Sequence, residues 1–205
     1  YEISLGLVGS EMCIRDSNTR IYCGIIADNT YLYLGTDNGI LVYNYRTDKY
    51  EQPDTDFPTD VRTMVLQGDT LWIGSLNGLY TYQLKSRQLN HFDSKQTGLP
   101  HNTIYSIIHT KDNQIYIGTY NGLCRYVQAS GKFENILLPV NRGGSNLFVN
   151  SLLEDAARQC IWIGMEGYLF QYNPTTGEMK AIEVFHNNSI KSLALDGDEN
   201  LLAGT

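Results

Sequence analysis

The chain has 205 residues, with 15 Lys and Arg against 22 Asp and Glu, a formal net charge of −7. That balance speaks against a nucleic-acid or anionic-membrane partner, and no apolar run approaches the length of a membrane helix. Four scattered cysteines (Cys13, Cys23, Cys124, Cys160) are too few for a disulfide framework and lack metal spacing, so they read as packing residues.

In chain order, residues 1–17 match nothing that follows. They contain GLVGSEMCIRDS, which reads as translated adapter sequence, and they lack the basic start and apolar core of a signal peptide. From Ile21 onward the chain repeats itself. Short blocks recur around Gly35 (YLYLGTDNGILVYN), Gly74 (TLWIGSLNGLYTYQ), Gly118 (QIYIGTYNGLCRYV), Gly164 (CIWIGMEGYLFQYN) and Gly204 (LLAGT). The glycines lie roughly 39 to 46 residues apart, the period of propeller blades. An apolar run precedes each block: IYCGIIA from Ile21, VRTMVLQ from Val61, IYSIIHT from Ile104, FVNSLLE from Phe148 and IKSLALD from Ile190.

Each unit reads as four short strands. In the second, VRTMVLQ, TLWIGS, GLYTYQL and QLNHFD are separated by turn residues. Asn38-Gly39, Asn77-Gly78 and Asn121-Gly122 are hairpin signals, because both residues tolerate positive φ. Glu166-Gly167 replaces the pair in the fourth unit, which reads as one residue shorter. The strands are rich in β-branched and aromatic residues, and no segment shows a capped helical period. A four-stranded unit has two apolar faces and must stack on its neighbours, so the expected fold is an all-β β-propeller of four-stranded antiparallel blades. The expected blades span about 21–53, 61–93, 104–137 and 148–183, with a partial fifth at 190–205, all within an incomplete propeller over 18–205. Since the sequence stops inside a second strand of the fifth unit, a piece of a longer protein is expected. Tyr33, Trp72, Tyr116 and Trp162, two residues before each glycine, are expected between blades.

The consensus GL-x-x-N-x-[IV]-x-S-[IL], a turn, then [LI]-[WY]-I-G-[TS]-x-N-G-L-x-x-Y resembles the two-component regulator propeller repeat. The best match runs from Gly98-Leu99-Pro100-His101-Asn102 through Ile115-Tyr116-Ile117-Gly118-Thr119 to Asn121-Gly122-Leu123. The resemblance implies the extracytoplasmic, periplasmic sensor region of a membrane-bound hybrid histidine kinase. Such regions commonly bind oligosaccharides and signal through a phosphorelay to transcription. It further implies remaining blades and a kinase region elsewhere in the parent chain, a membrane-anchored homodimer, and no catalysis by this piece. A protein-interaction scaffold and a propeller lyase or hydrolase are the alternatives. The Gly-His and Trp-Asp marks of common scaffold propellers are missing, as is a converging acid, base or metal set.

No cofactor or metal is expected. Asp196-Gly197-Asp198-Glu199-Asn200 departs from a calcium loop and reads as turn chemistry. Of the histidines, His101 and His186 fall between blades, His109 at the far end of a first strand and His91 on an outer strand. In a propeller, the loops from strand two to three share a face with the connections between blades. The first set supplies Asp37, Leu76, Tyr120 and Glu166, and the second His101, Asn102, Arg142 and Asn187. A sugar needs an aromatic face and planar hydrogen-bonding groups. Tyr120 is therefore the expected platform, with Asp37, Glu166, Arg142 and His101 as hydrogen-bonding partners.

Overall fold

The computed structural model describes residues 19–51, 53, 55–140, 147–182 and 188–205. The leader at 1–17, Cys13, Arg142, His186 and Asn187 lie outside these. Four antiparallel sheets of four strands follow in chain order, each a simple meander. The first holds β1 (Ile21–Ala27), β2 (Tyr31–Thr36), β3 (Gly39–Asn44) and β4 (Lys49–Glu51). The second holds β5 (Val61–Gln67), β6 (Thr70–Ser75), β7 (Gly78–Gln83) and β8 (Leu89–Phe92). The third holds β9 (Ile104–His109), β10 (Ile115–Thr119), β11 (Gly122–Val127) and β12 (Lys132–Ile136). The fourth holds β13 (Val149–Asp155), β14 (Cys160–Met165), β15 (Tyr168–Tyr172) and β16 (Met179–Ile182), followed by the pair β17 (Ser192–Leu195) and β18 (Leu201–Gly204).

The sheets stack as blades. β1, β5, β9, β13 and β17 each touch the next in line, so the first strand of every sheet is the innermost. Apolar clusters fill the gaps between sheets. Tyr33 packs with Val61, Met64 and Ile73, and Trp72 with Leu99, Ile104 and Ile117. Tyr116 packs with Val149, Leu152 and Ile163, and Trp162 with Ile190 and Leu193. Each large aromatic residue thus fills an interface between blades, as its place in the repeat predicts.

The repeated glycine has a tertiary reason. A Cβ on Gly35 would come within 2.7 Å of Val61 Cγ1, one on Gly74 within 2.6 Å of Ile104 Cγ2, one on Gly118 within 2.6 Å of Val149 Cγ1, and one on Gly164 within 2.7 Å of Ile190 Cγ2. The first apolar side chain of each blade therefore seats on the bare backbone of the blade before it. The site demands absence of a side chain rather than an unusual φ.

The hairpin turns correct two expectations. Thr36 pairs with Gly39, Ser75 with Gly78 and Thr119 with Gly122. The two loop residues are Asp37-Asn38, Leu76-Asn77 and Tyr120-Asn121, and the glycine opens the third strand. Only the glycines have positive φ, at 117°, 150° and 116°; the asparagines do not. What fixes the turn is the hydroxyl after the buried glycine. Ser75 Oγ donates to Gly78 O at 3.0 Å and accepts from Asn77 N at 3.1 Å; Thr36 and Thr119 do the same. The fourth blade is not shorter here. Met165 pairs with Tyr168 across Glu166-Gly167, so the loop length is kept and the glycine moves into the loop.

One helical turn was not foreseen. α1 (Ser94–Thr97) is capped by Asp93, whose side chain accepts from Lys95 N, and stopped by Gly98 at φ 84°. Asn102 Oδ1 accepts from Ser94 N at 2.8 Å, and Leu99 is buried between blades. The Gly-Leu and Asn of the repeat's entry thus tie the turn to β9. Four residues are too few to show a helical period.

Candidate functional site

The loops from strand two to three and the segments entering the next blade share one face. They are stitched together: Asp60 N donates to Asp37 O at 3.1 Å, and Leu76 N to Asp60 O at 3.3 Å. Thr103 Oγ1 donates to Leu76 O at 3.1 Å, and Tyr120 N to Thr103 O at 3.0 Å. Variable residues thereby sit on a rigid hydrogen-bonded rim, the arrangement in which specificity can change without harming the fold.

Just inside this rim the inner strand of each complete blade carries a β-bulge. The register slips between Ile21 and Cys23, between Val61 and Thr63 and between Val149 and Ser151. In the third blade Gly118 pairs with Ser106 and Thr119 with Ile104. The skipped residues are Tyr22, Arg62, Tyr105 and Asn150. A bulge re-aims its side chain; in β5, β9 and β13 the first residue (Val61, Ile104, Val149) is fully buried while the bulged residue after it is half-buried, whereas in β1 Ile21 is itself exposed.

The sequence-predicted residues fall on this face as follows. Tyr120 and His101 are brought together, with ring centroids 4.9 Å apart. Phe148 meets Tyr120 edge-on at 4.2 Å and lies 6.1 Å from Tyr105. His101 Nδ1 accepts from Thr103 N at 3.0 Å, which fixes its ring. Asp37 Oδ1 accepts from Arg20 N at 3.1 Å at the corner of the first blade. Glu166 is exposed and its backbone bridges to Ser189. Arg142 lies outside the described residues. Asn102 turns inward to cap α1 rather than toward the face.

Sequence reasoning missed the bulged residues. The Arg62 guanidinium carbon lies 3.8 Å from the Tyr22 ring centroid, and its terminal nitrogen is 3.4 Å from Asp60 Oδ1. Burial pushes the Tyr105 phenol up, reinforced by Tyr120 and opposed by the Arg62 charge. Asn150 Nδ2 donates to Ser189 Oγ at 3.1 Å. The signal was present: Ile-Tyr-Cys, Val-Arg-Thr, Ile-Tyr-Ser and Val-Asn-Ser keep their first and third residues alike while the second changes.

The other two described histidines have local roles. His109 Nε2 lies 2.8 Å from Asn113 Oδ1, and His91 stacks on Tyr80 at 4.4 Å. Asp196 accepts from Asp198 N and Asn200 N through one oxygen and from Asn200 Nδ2 through the other, which is turn chemistry. Among the described residues no His, Cys, Asp and Glu group could hold a metal ion.

The comparisons with known proteins agree with this architecture. The model of the two component regulator propeller family matches residues 98–121. Two structures of the extracellular domain of BT4673 from B. thetaiotaomicron are similar to this chain. That protein is called a one component system in one and a hybrid two component system in the other. Each is 75% identical over 93% of this chain, with a TM-score of 0.89. This chain spans 26% of that domain's length. The extracellular domain of BT3049 from the same organism, called a hybrid two component system, is 19% identical over 90% of this chain and 25% of its own, with a TM-score of 0.73. Virginiamycin B lyase from Staphylococcus aureus shares the fold alone, at 14% identity over 89% of this chain and 62% of its own, with a TM-score of 0.68. No curated protein matches the sequence. The family match falls on the third blade, and the same frame of glycine, hydroxyl and turn recurs in the first and second, so this chain carries the two component regulator propeller repeat.

Proposed function

We propose that this chain is part of the ligand-sensing propeller of a membrane-bound hybrid two component regulator, exposed on the extracytoplasmic, periplasmic side, and that it contributes to oligosaccharide binding. The observation that carries the reading is the 75% identity to the extracellular domain of BT4673. Supporting it is the rim of Tyr120, His101 and Phe148, an aromatic cluster beside polar loop residues. Sugars present apolar ring faces to aromatic side chains and hydroxyls to planar polar groups. In this reading the piece itself performs no catalysis. The remaining blades and the kinase region of a dimeric parent convert ligand binding into a phosphorelay that reaches transcription.

Isothermal titration of the intact sensor region against an oligosaccharide panel tests this. Binding of at least one oligosaccharide is expected, weakened about tenfold, or roughly 1.4 kcal/mol, by Tyr120→Ala with the fold retained. A sensor region that binds no member of the panel would count against the sugar-sensing role. Binding that survives both Tyr120→Ala and His101→Ala unchanged would remove this rim from the site.

A further inference from the structure

We infer that the bulged residues of the inner strands form the specificity-determining ring of this face. Its centre is the Asp60–Arg62 pair on Tyr22, which reads vicinal hydroxyls of a neutral sugar. The inference rests on the oligosaccharide-sensing reading and names the ligand class for that same face.

Three independent features single out this place. The first is the bulge, present at the same step in all four complete blades. It leaves Tyr22, Arg62, Tyr105 and Asn150 outside the paired register, and the residue before each of the last three is fully buried. The second is strain. Asp60, immediately before β5, sits in the left-handed region at φ 54°, a conformation that costs a non-glycine residue and clusters at ligand sites. It places the carboxylate beside the guanidinium two residues on. The third is an unmet hydrogen bond. Among the described residues Arg62 Nε is buried with no hydrogen-bond partner, and the guanidinium's ion pair to Asp60 is long, at 3.4 Å. A buried cationic donor without a partner is costly. The inner strand tolerates Tyr or Asn at the equivalent step, so packing does not require arginine there.

The chemistry favours a neutral sugar. The Tyr22 ring holds the guanidinium by a cation–π contact rather than by a fork of hydrogen bonds. Both members of the pair remain about one-third exposed, at 30% and 35%, so the open edge of Arg62 can donate and the open oxygen of Asp60 can accept. A vicinal diol supplies the complementary acceptor and donor. Asn150 and the Tyr105 hydroxyl extend the same mixed lining into the next two blades. A ligand carboxylate would meet Asp60 beside Arg62, in a chain of net charge −7, and gain little from a guanidinium already neutralised.

The test is calorimetric titration of the intact sensor region with neutral oligosaccharides of galactose, glucose, mannose and arabinose and with uronic acid oligosaccharides. Arg62→Met keeps an unbranched side chain and removes the donors and the charge held on Tyr22. Asp60→Asn keeps a residue that tolerates left-handed φ and removes the charge. A neutral oligosaccharide should bind, and each variant should weaken it at least tenfold while the circular dichroism spectrum is unchanged. If Arg62→Met fails to fold, Asp60→Asn alone decides. Unchanged affinity in the folded variants, with Tyr120→Ala still weakening binding, overturns the ring while the sensing role stands. Binding of uronic acid oligosaccharides alone overturns the neutral class. Failure of every oligosaccharide to bind overturns the ring together with the sensing role beneath it.

Discussion

Replacing Gly118 with alanine puts a methyl group where the fourth blade rests on the third. The new Cβ would lie 2.6 Å from Val149 Cγ1 and 2.8 Å from Val149 O, and against Ser106 Oγ. Ordinary contact begins near 3.4 Å. Ser106 can rotate away, at the loss of its 3.3 Å hydrogen bond to Val149 O. Val149 O is backbone on a fully buried residue, so β13 itself must retreat. Overpacking of this kind costs about 1–3 kcal/mol, and the lost hydrogen bond adds roughly 0.5–1 kcal/mol. The lower entropy of the unfolded alanine chain returns roughly 0.4–1 kcal/mol. The net is about 2 kcal/mol of destabilisation, a fall in Tm of about 4–8 °C for a chain of this size. Gly197→Ala is the control. Its Cβ meets nothing within 4 Å and its φ is not positive, so it should stay within roughly 0.5 kcal/mol of the parent. Thermal unfolding followed by circular dichroism measures both. Equal melting temperatures for the two variants would refute the idea that the repeated glycine is a seat for the next blade.

Asp155 is fully buried and holds Trp162 Nε1 at 3.0 Å and the Arg158 guanidinium at 2.7 Å. Burial pushes its carboxyl up, but the Trp162 and Arg158 donors outweigh this and hold it below the ordinary value. A depressed folded-state value means stability that is present above about pH 4 and lost as pH falls through the folded-state value. Asp155→Asn should cost about 1–2 kcal/mol at pH 7, with the gap to wild type closing in acid; a gap independent of pH in urea unfolding would count against it. Gly98→Ala forces a side chain to φ 84° with its Cβ 3.1 Å from Phe133 O, and should lower stability by about 1–2 kcal/mol; an unchanged urea midpoint contradicts the capping role. Burial pushes the Cys23 thiol up to about 11 and raises Cys124 and Cys160 as well. All three should resist iodoacetamide at pH 8 in the native protein, as read by peptide mass spectrometry, and fast native-state labelling would contradict their burial.

The period, the strand positions and the aromatic residues between blades were legible in the sequence. Strand alternation and hairpin connection are local, so each repeat displays them within a few residues. Residue identity at the turns was legible too, but its reason was not. Asn-Gly reads as a turn because both residues tolerate positive φ, whereas the hydroxyl of Thr36, Ser75 or Thr119 fastens the loop and the glycine alone has positive φ. Tyr120 and His101 were both named from their loops, yet their 4.9 Å approach depends on two segments that meet only when the blade closes. The repeated glycine and the Arg62–Tyr22 contact belong wholly to tertiary structure. Gly35 is small because Val61 must sit on it, and Arg62 leaves the packing pattern because the strand bulges and the neighbouring blade offers Tyr22. Those causes join residues a whole repeat apart, and stacking of the blades brings them into contact.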